Sequence, residues 1–168
     1  MMAPMTNRAT TPRQAAPARH GQGAPTGRPS RALQLLDAEL DILDRAESML
    51  REGEALALTD PRAAYELVHR AALRAAGVVV ARANRDRRRR LPLNAWTALA
   101  RIGGEHRAWA EEMAELVAER DRLSRREDAT PDPVLLARHR DLTARRVRMV
   151  REEVLEASLP EDLSTLGS

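Results

Sequence analysis

The densest chemical feature of this sequence is a run of four guanidinium groups, Arg87-Arg88-Arg89-Arg90. Guanidinium pairs bidentately with phosphate oxygens, so such a run can grip RNA or a nucleotide. A solvated loop is the competing reading, because Asp86 is the only nearby acid and no aromatic residue is interleaved to stack on bases. The four histidines, His20, His69, His106 and His139, stand singly on different segments. No two of them fall at the four-residue step that metal-binding helices use. The helix rows expected to face inward are apolar, with Glu47 the main exception, so neither a metal site nor a cofactor is expected. Cysteine is absent, which removes a disulfide scaffold, a thiol nucleophile and a thiolate-held metal. No phosphate-binding loop, dinucleotide fingerprint or nucleophile elbow is present. The Gly103-Gly104 pair reads as a helix kink or a packing notch before it reads as a phosphate cradle.

What must position these groups is a chain of 168 residues, room for one domain and a tail. All 28 basic residues are arginine. Five of them, Arg8, Arg13, Arg19, Arg28 and Arg31, lie in residues 1–31, which contain no acid. The net charge of the whole chain is +3, so the remainder is slightly acidic and the high pI is weak evidence for a nucleic-acid-binding fold. Residues 1–31 also carry five prolines and three glycines without hydrophobic period. They read as a disordered basic arm that cannot bury enough apolar surface to offset its ordering entropy. The longest apolar run, Ala75–Ala81, falls far short of the ~20 residues that span a bilayer. No apolar stretch follows the start, so a soluble cytoplasmic protein with no membrane partner is expected.

From Ala32 the pattern turns helical. Ser30 can cap a first helix in which Leu33, Leu36, Leu40, Leu43 and Leu50, with Leu35, Ile42, Met49 and Leu56 alongside, make a broad apolar face. It should end near Leu56–Leu58. Thr59-Asp60-Pro61 then signals a second start, because a Thr or Asp side chain caps free amides and proline suits the first turn. The second helix should run to about Asn84 and be the most buried element, with Gly77 and the alanines allowing close contact. Pro92 ends the charged segment. Asn94 can cap a third helix, expected from about Ala95 to Arg125, with Trp96, Leu99, Gly103, His106, Ala110, Met113 and Val117 on its stripe. Thr130-Pro131-Asp132-Pro133 breaks it from a fourth helix that ends near Ala157. No segment reads as a strand. Four long helices with short connections predict an all-α, antiparallel up-and-down bundle over residues 32–158, followed by a frayed tail, 159–168.

The stretch Asn94-Ala95-Trp96-Thr97-Ala98-Leu99-Ala100-Arg101-Ile102, with Trp109-Ala110 after it, resembles small actinobacterial HEPN-domain proteins. So does the helix from Tyr65 to Arg82, with His69-Arg70-Ala71-Ala72-Leu73-Arg74-Ala75-Ala76 inside it. The resemblance covers about residues 33–157. It implies a helical bundle that dimerises. Many such domains are metal-independent ribonucleases, and others have lost activity and act in binding. Their catalytic signature is an arginine, four to six residues, then a histidine, brought together where two protomers meet. Arg101 and His106 fit it here. In that reading His106 serves as general base or acid for the ribose 2′-hydroxyl, and Arg101 stabilises the phosphorane charge. The residue after the arginine, Ile102, departs from the polar residue usual in active members. An ideal helix would hold Arg101 and His106 about 140° apart, so they converge only if Gly103-Gly104 bends the chain or across a dimer axis. Arg101 can instead pair with Glu105 four residues on. Arg62 and His69, seven apart on one face, are a second match, with a core histidine the alternative at both places.

The outer apolar rows exceed what one bundle can hide, so a homodimer is expected. Three functions follow. The first is a non-catalytic HEPN-like dimer that binds a nucleotide, nucleic acid or partner protein. The others are a metal-independent endoribonuclease using Arg101 and His106, and a helical adaptor between proteins.

Overall fold

The computed structural model describes residues 30–158, which are helical and contain no strand. The expectations for the arm and the tail lie outside the described residues, save for Ser30 and Arg31. The chain is an antiparallel helical bundle built in the order α1 (Arg31–Leu56), α2 (Pro61–Arg85), α3 (Ala95–Ile102), α4 (Gly104–Ser124) and α5 (Pro133–Glu156).

The starts follow from local chemistry. Oxygens of Ser30, Asp60, Asn94 and Asp132 accept the first free amides of α1, α2, α3 and α5, those of Leu33, Ala63, Thr97 and Val134. Pro61 and Pro133 occupy the first turns of α2 and α5, where a missing N–H costs nothing.

Helix α2 is the central element and packs against α1, α3, α4 and α5. Its alanines explain how. Ala64, Ala71, Ala72, Ala75 and Ala76 are fully buried, so neighbouring backbones approach closely on several sides. On α1, Gly53 admits the other half of one such contact. A Cβ there would lie 3.2 Å from the Ala64 carbonyl oxygen and 3.3 Å from a Val68 methyl. Gly77 has no such role: it is exposed, and a Cβ on it would meet nothing within 4 Å. The first turns of α1 are also less buried than their pattern suggests, since Leu33 is 52% and Leu35 38% exposed.

The predicted third helix is two helices. Gly103 and Gly104 both adopt positive φ, 92° and 53°. An α-helix cannot pass through two such residues, and glycine reaches these angles without a Cβ penalty. The pair is therefore a break, and with open space around both residues it is not a packing notch. Beyond it, α4 carries Trp109, Met113, Leu116 and Leu123 into the core.

Candidate nucleic-acid interface and catalytic corner

The connection between α2 and α3 presents the arginine run. Asn84 Oδ1 accepts the amide of Leu91 at 2.9 Å, and Leu91 is buried, so both ends of the loop are anchored. Between these anchors Arg87, Arg88, Arg89 and Arg90 are all exposed. None of the four reaches a carboxylate among the described residues. Arginines elsewhere behave differently. Arg151 spans from α5 to Asp44 and Glu47 on α1, Arg120 from α4 to Glu66 on α2, and Arg82 and Arg85 converge on the buried Glu39.

The helix break sets the geometry around Arg101 and His106. Arg101 lies in the last turn of α3 and His106 in the first turn of α4. Arg101 is exposed and reaches no acid among the described residues. The expected Arg101–Glu105 pair does not form, because the break ends the shared helix between them. Glu105 instead approaches Arg146 at 3.5 Å. His106 keeps 22% of its side chain exposed, and its Nε2 lies 3.9 Å from Glu153 Oε2 on α5. Protonated His106 would form an ion pair there. Arg107 Nε donates to the Ala100 carbonyl across the break, and the α4 N-terminus has no side-chain cap. Arg146 crosses from α5 to Glu112 at 2.9 Å and lies over the Trp109 ring, backing the corner.

The second arginine–histidine match separates. Arg62 donates to the carbonyls of Leu123, Arg126, Glu127 and Ala129, and so closes the α4–α5 connection. His69 turns inward. There the structure assembles a row of rings that sequence spacing did not reveal. Tyr65 lies against His139, with centroids 5.0 Å apart. His139 lies against His69 at 5.6 Å, His69 against Trp96 at 6.0 Å, and Trp96 against Trp109 at 5.9 Å. The signal was present in part. Tyr65 and His69 share the row of Ala72 and Ala76 on α2, and His139 shares that of Leu135, Leu142 and Thr143 on α5.

Burial disfavours the charged form of both imidazoles. His69 is lowered to about 4, first by desolvation and then by the Arg120 charge, against smaller opposing pulls from Glu66 and Asp121. His139 is lowered to about 3, by desolvation and then by His69. Thr143 Oγ1 lies 3.1 Å from His139 Nδ1, whereas His69 Nδ1, His139 Nε2 and Trp109 Nε1 have no hydrogen-bond partner. Burial also pushes the Tyr65 phenol up, and its hydroxyl donates to the Leu116 carbonyl at 2.8 Å.

Glu66 stands three residues before His69, a step that carboxylate–histidine metal sites use. Its carboxylate is taken by Arg120. Among the described residues no group of three or more His, Asp or Glu side chains could hold a metal ion, and no helix is long and apolar enough to cross a membrane.

No curated protein and no solved structure matches the chain. A family model, that of the HEPN_SAV_6107-like HEPN domains, matches residues 55–155, from the end of α1 through almost all of α5. With more than half its length matched, and with the central α2 and the tryptophan-bearing α3 and α4 all inside the match, the chain belongs to the SAV_6107-like HEPN family.

Proposed function

We propose that this HEPN chain is a non-catalytic homodimer that binds nucleic acid through the α2–α3 loop. One observation carries the reading. Arg87–Arg90 are four consecutive exposed guanidinium groups with no carboxylate among the described residues to neutralise them. Phosphates are the counter-ions such a run suits, and neutralising them releases condensed cations, so binding falls with salt. The exposed leucines at one end of the bundle, Leu33 and Leu35 on α1 and Leu155 on α5, support association of two copies there.

The test is the affinity for RNA across a salt series, for the natural chain and for a variant with Arg87–Arg90 all changed to Ser. Expected is a linear loss in log–log form that flattens in the variant by up to about 0.7–0.9 per phosphate contact removed. Binding indifferent to salt and to the substitutions would reject the reading. Sedimentation of the natural chain and of Leu155→Glu checks the dimer, and a monomer at tens of micromolar would count against it.

The His106–Glu153 approach favours a second reading, a metal-independent endoribonuclease. A partly exposed imidazole beside a carboxylate suits proton transfer, and Arg101 stands across the break with no acid to occupy it. This reading expects RNA to be cut in the presence of chelator and His106→Ala to stop the cutting. Intact RNA with the natural chain would reject it.

A further inference from the structure

Beneath the arginine loop the outer face of α2 forms an open groove of about 540 Å³, within the ~300–1,000 Å³ range of small-molecule sites. Its floor is Gly77, Val80 and Ala81, and Leu93 and Ala95 make the facing wall. The absence of a side chain at Gly77 keeps the floor low, since a Cβ there would point into open space. Leu93 stands fully in solvent at 106% exposure, an apolar side chain with nothing against it. The polar rim is Asn84, Arg85 and Arg90. Arg85 is bound to Glu39, whereas Arg90 has no acid among the described residues. The Asn84 oxygen is held by the Leu91 amide, which leaves its N–H groups without a partner among the described residues. Among the described residues no carboxylate lines the groove.

We infer that this groove receives one nucleotide unit of a single-stranded nucleic acid, with the base on Gly77, Val80 and Ala81 and the phosphate on Arg90. The inference deepens the proposed function and rests on it. A flat, weakly polar base matches an uncharged apolar floor. Base carbonyls match the Asn84 donors. The adjacent phosphates run on to Arg87–Arg89, where guanidinium groups hold the backbone without reading sequence. A strand whose bases are unstacked can place one there, and a duplex keeps its bases inside. The arginine loop thus supplies general attraction, and the groove supplies preference for unpaired strands.

The experiment compares a short mixed-sequence RNA strand with the blunt duplex made from it. Binding of each is followed by fluorescence anisotropy of a labelled end, using the full chain, Gly77→Leu and Leu93→Ser. Gly77→Leu fills the groove from a position where an added Cβ meets nothing within 4 Å, and Leu93→Ser removes the wall from an exposed loop position. Circular dichroism melts confirm that both remain folded. Expected is a preference of about tenfold for the single strand in the natural chain, about 1.4 kcal/mol. Both variants should lose it while duplex binding stays unchanged. Equal binding of strand and duplex by the natural chain, or a preference that survives both variants, overturns the groove and leaves the arginine-loop reading standing. No binding of either RNA overturns both.

Discussion

The bundle holds histidines in two contrasting places. His69 and His139 meet in the middle, on α2 and α5, where burial keeps both imidazoles neutral down to about pH 4 and about pH 3. His106 sits at the α3–α4 corner, in contact with water and 3.9 Å from a carboxylate. The residue type is the same, and the difference lies in which helix row carries it. A row shared with Tyr65, Ala72 and Ala76 is stripped of solvent by every helix packed on α2. The first turn after a glycine break has neighbours on one side only. Proton transfer near neutral pH requires an imidazole that can gain and lose a proton there, and the buried pair has given up that ability. The centre of the molecule is thus built for shape, and whatever chemistry the chain performs belongs to its periphery.

Acid should separate the two places most strongly. Unfolded histidine takes up a proton below about pH 6.5, whereas the folded pair resists until about pH 4 and about pH 3. Between these values the unfolded chain binds more protons, so stability falls as pH falls. Denaturant unfolding at about pH 4.5 should show a loss on the order of 4–5 kcal/mol relative to about pH 7, at ~1.4 kcal/mol per unit for each histidine. His139→Leu should shrink that loss. A loss that His139→Leu leaves at full size would reverse the comparison.

Trp109→Ala comes next. It removes the largest fully buried side chain, with an expected cost of about 3–5 kcal/mol in the same unfolding experiment. Arg62→Ala should cost about 2 kcal/mol by freeing four carbonyls of the α4–α5 connection, and amide hydrogen exchange should quicken there first. Tyr65→Phe should cost about 1 kcal/mol, because the Leu116 carbonyl loses its buried donor. Smallest is Glu153→Gln, expected within about 0.5 kcal/mol of the natural chain by thermal melt. A large destabilisation from that substitution would make the corner structural and blur the contrast.

The helix starts were legible because a cap is a local event. Ser30, Asp60, Asn94 and Asp132 each satisfy amides within three residues of themselves. The break at Gly103 was visible as two glycines but not as a stop, since the residues on both sides continue one apolar period across it. Whether such a pair kinks or ends a helix depends on what the following helix packs against. The Arg87–Arg90 loop and the exposure of Arg101 followed from composition and spacing. The ring row did not, because it needs the relative register of α2 and α5, whose facing residues His69 and His139 are 70 positions apart in sequence. Glu39 was hidden for the same reason. An acid between Ala38 and Leu40 gives no sign that Arg82 and Arg85 will arrive from another helix to let it be buried.

The row from Tyr65 to Trp109 has an optical consequence. It contains both tryptophans and the single tyrosine, and phenylalanine is absent, so every aromatic near-ultraviolet chromophore lies in this one row. Intrinsic emission will therefore report loss of the interior faithfully. Trp96 is only half-buried and adjoins Ala95 in the groove lining, so its emission will also respond to events beneath the arginine loop.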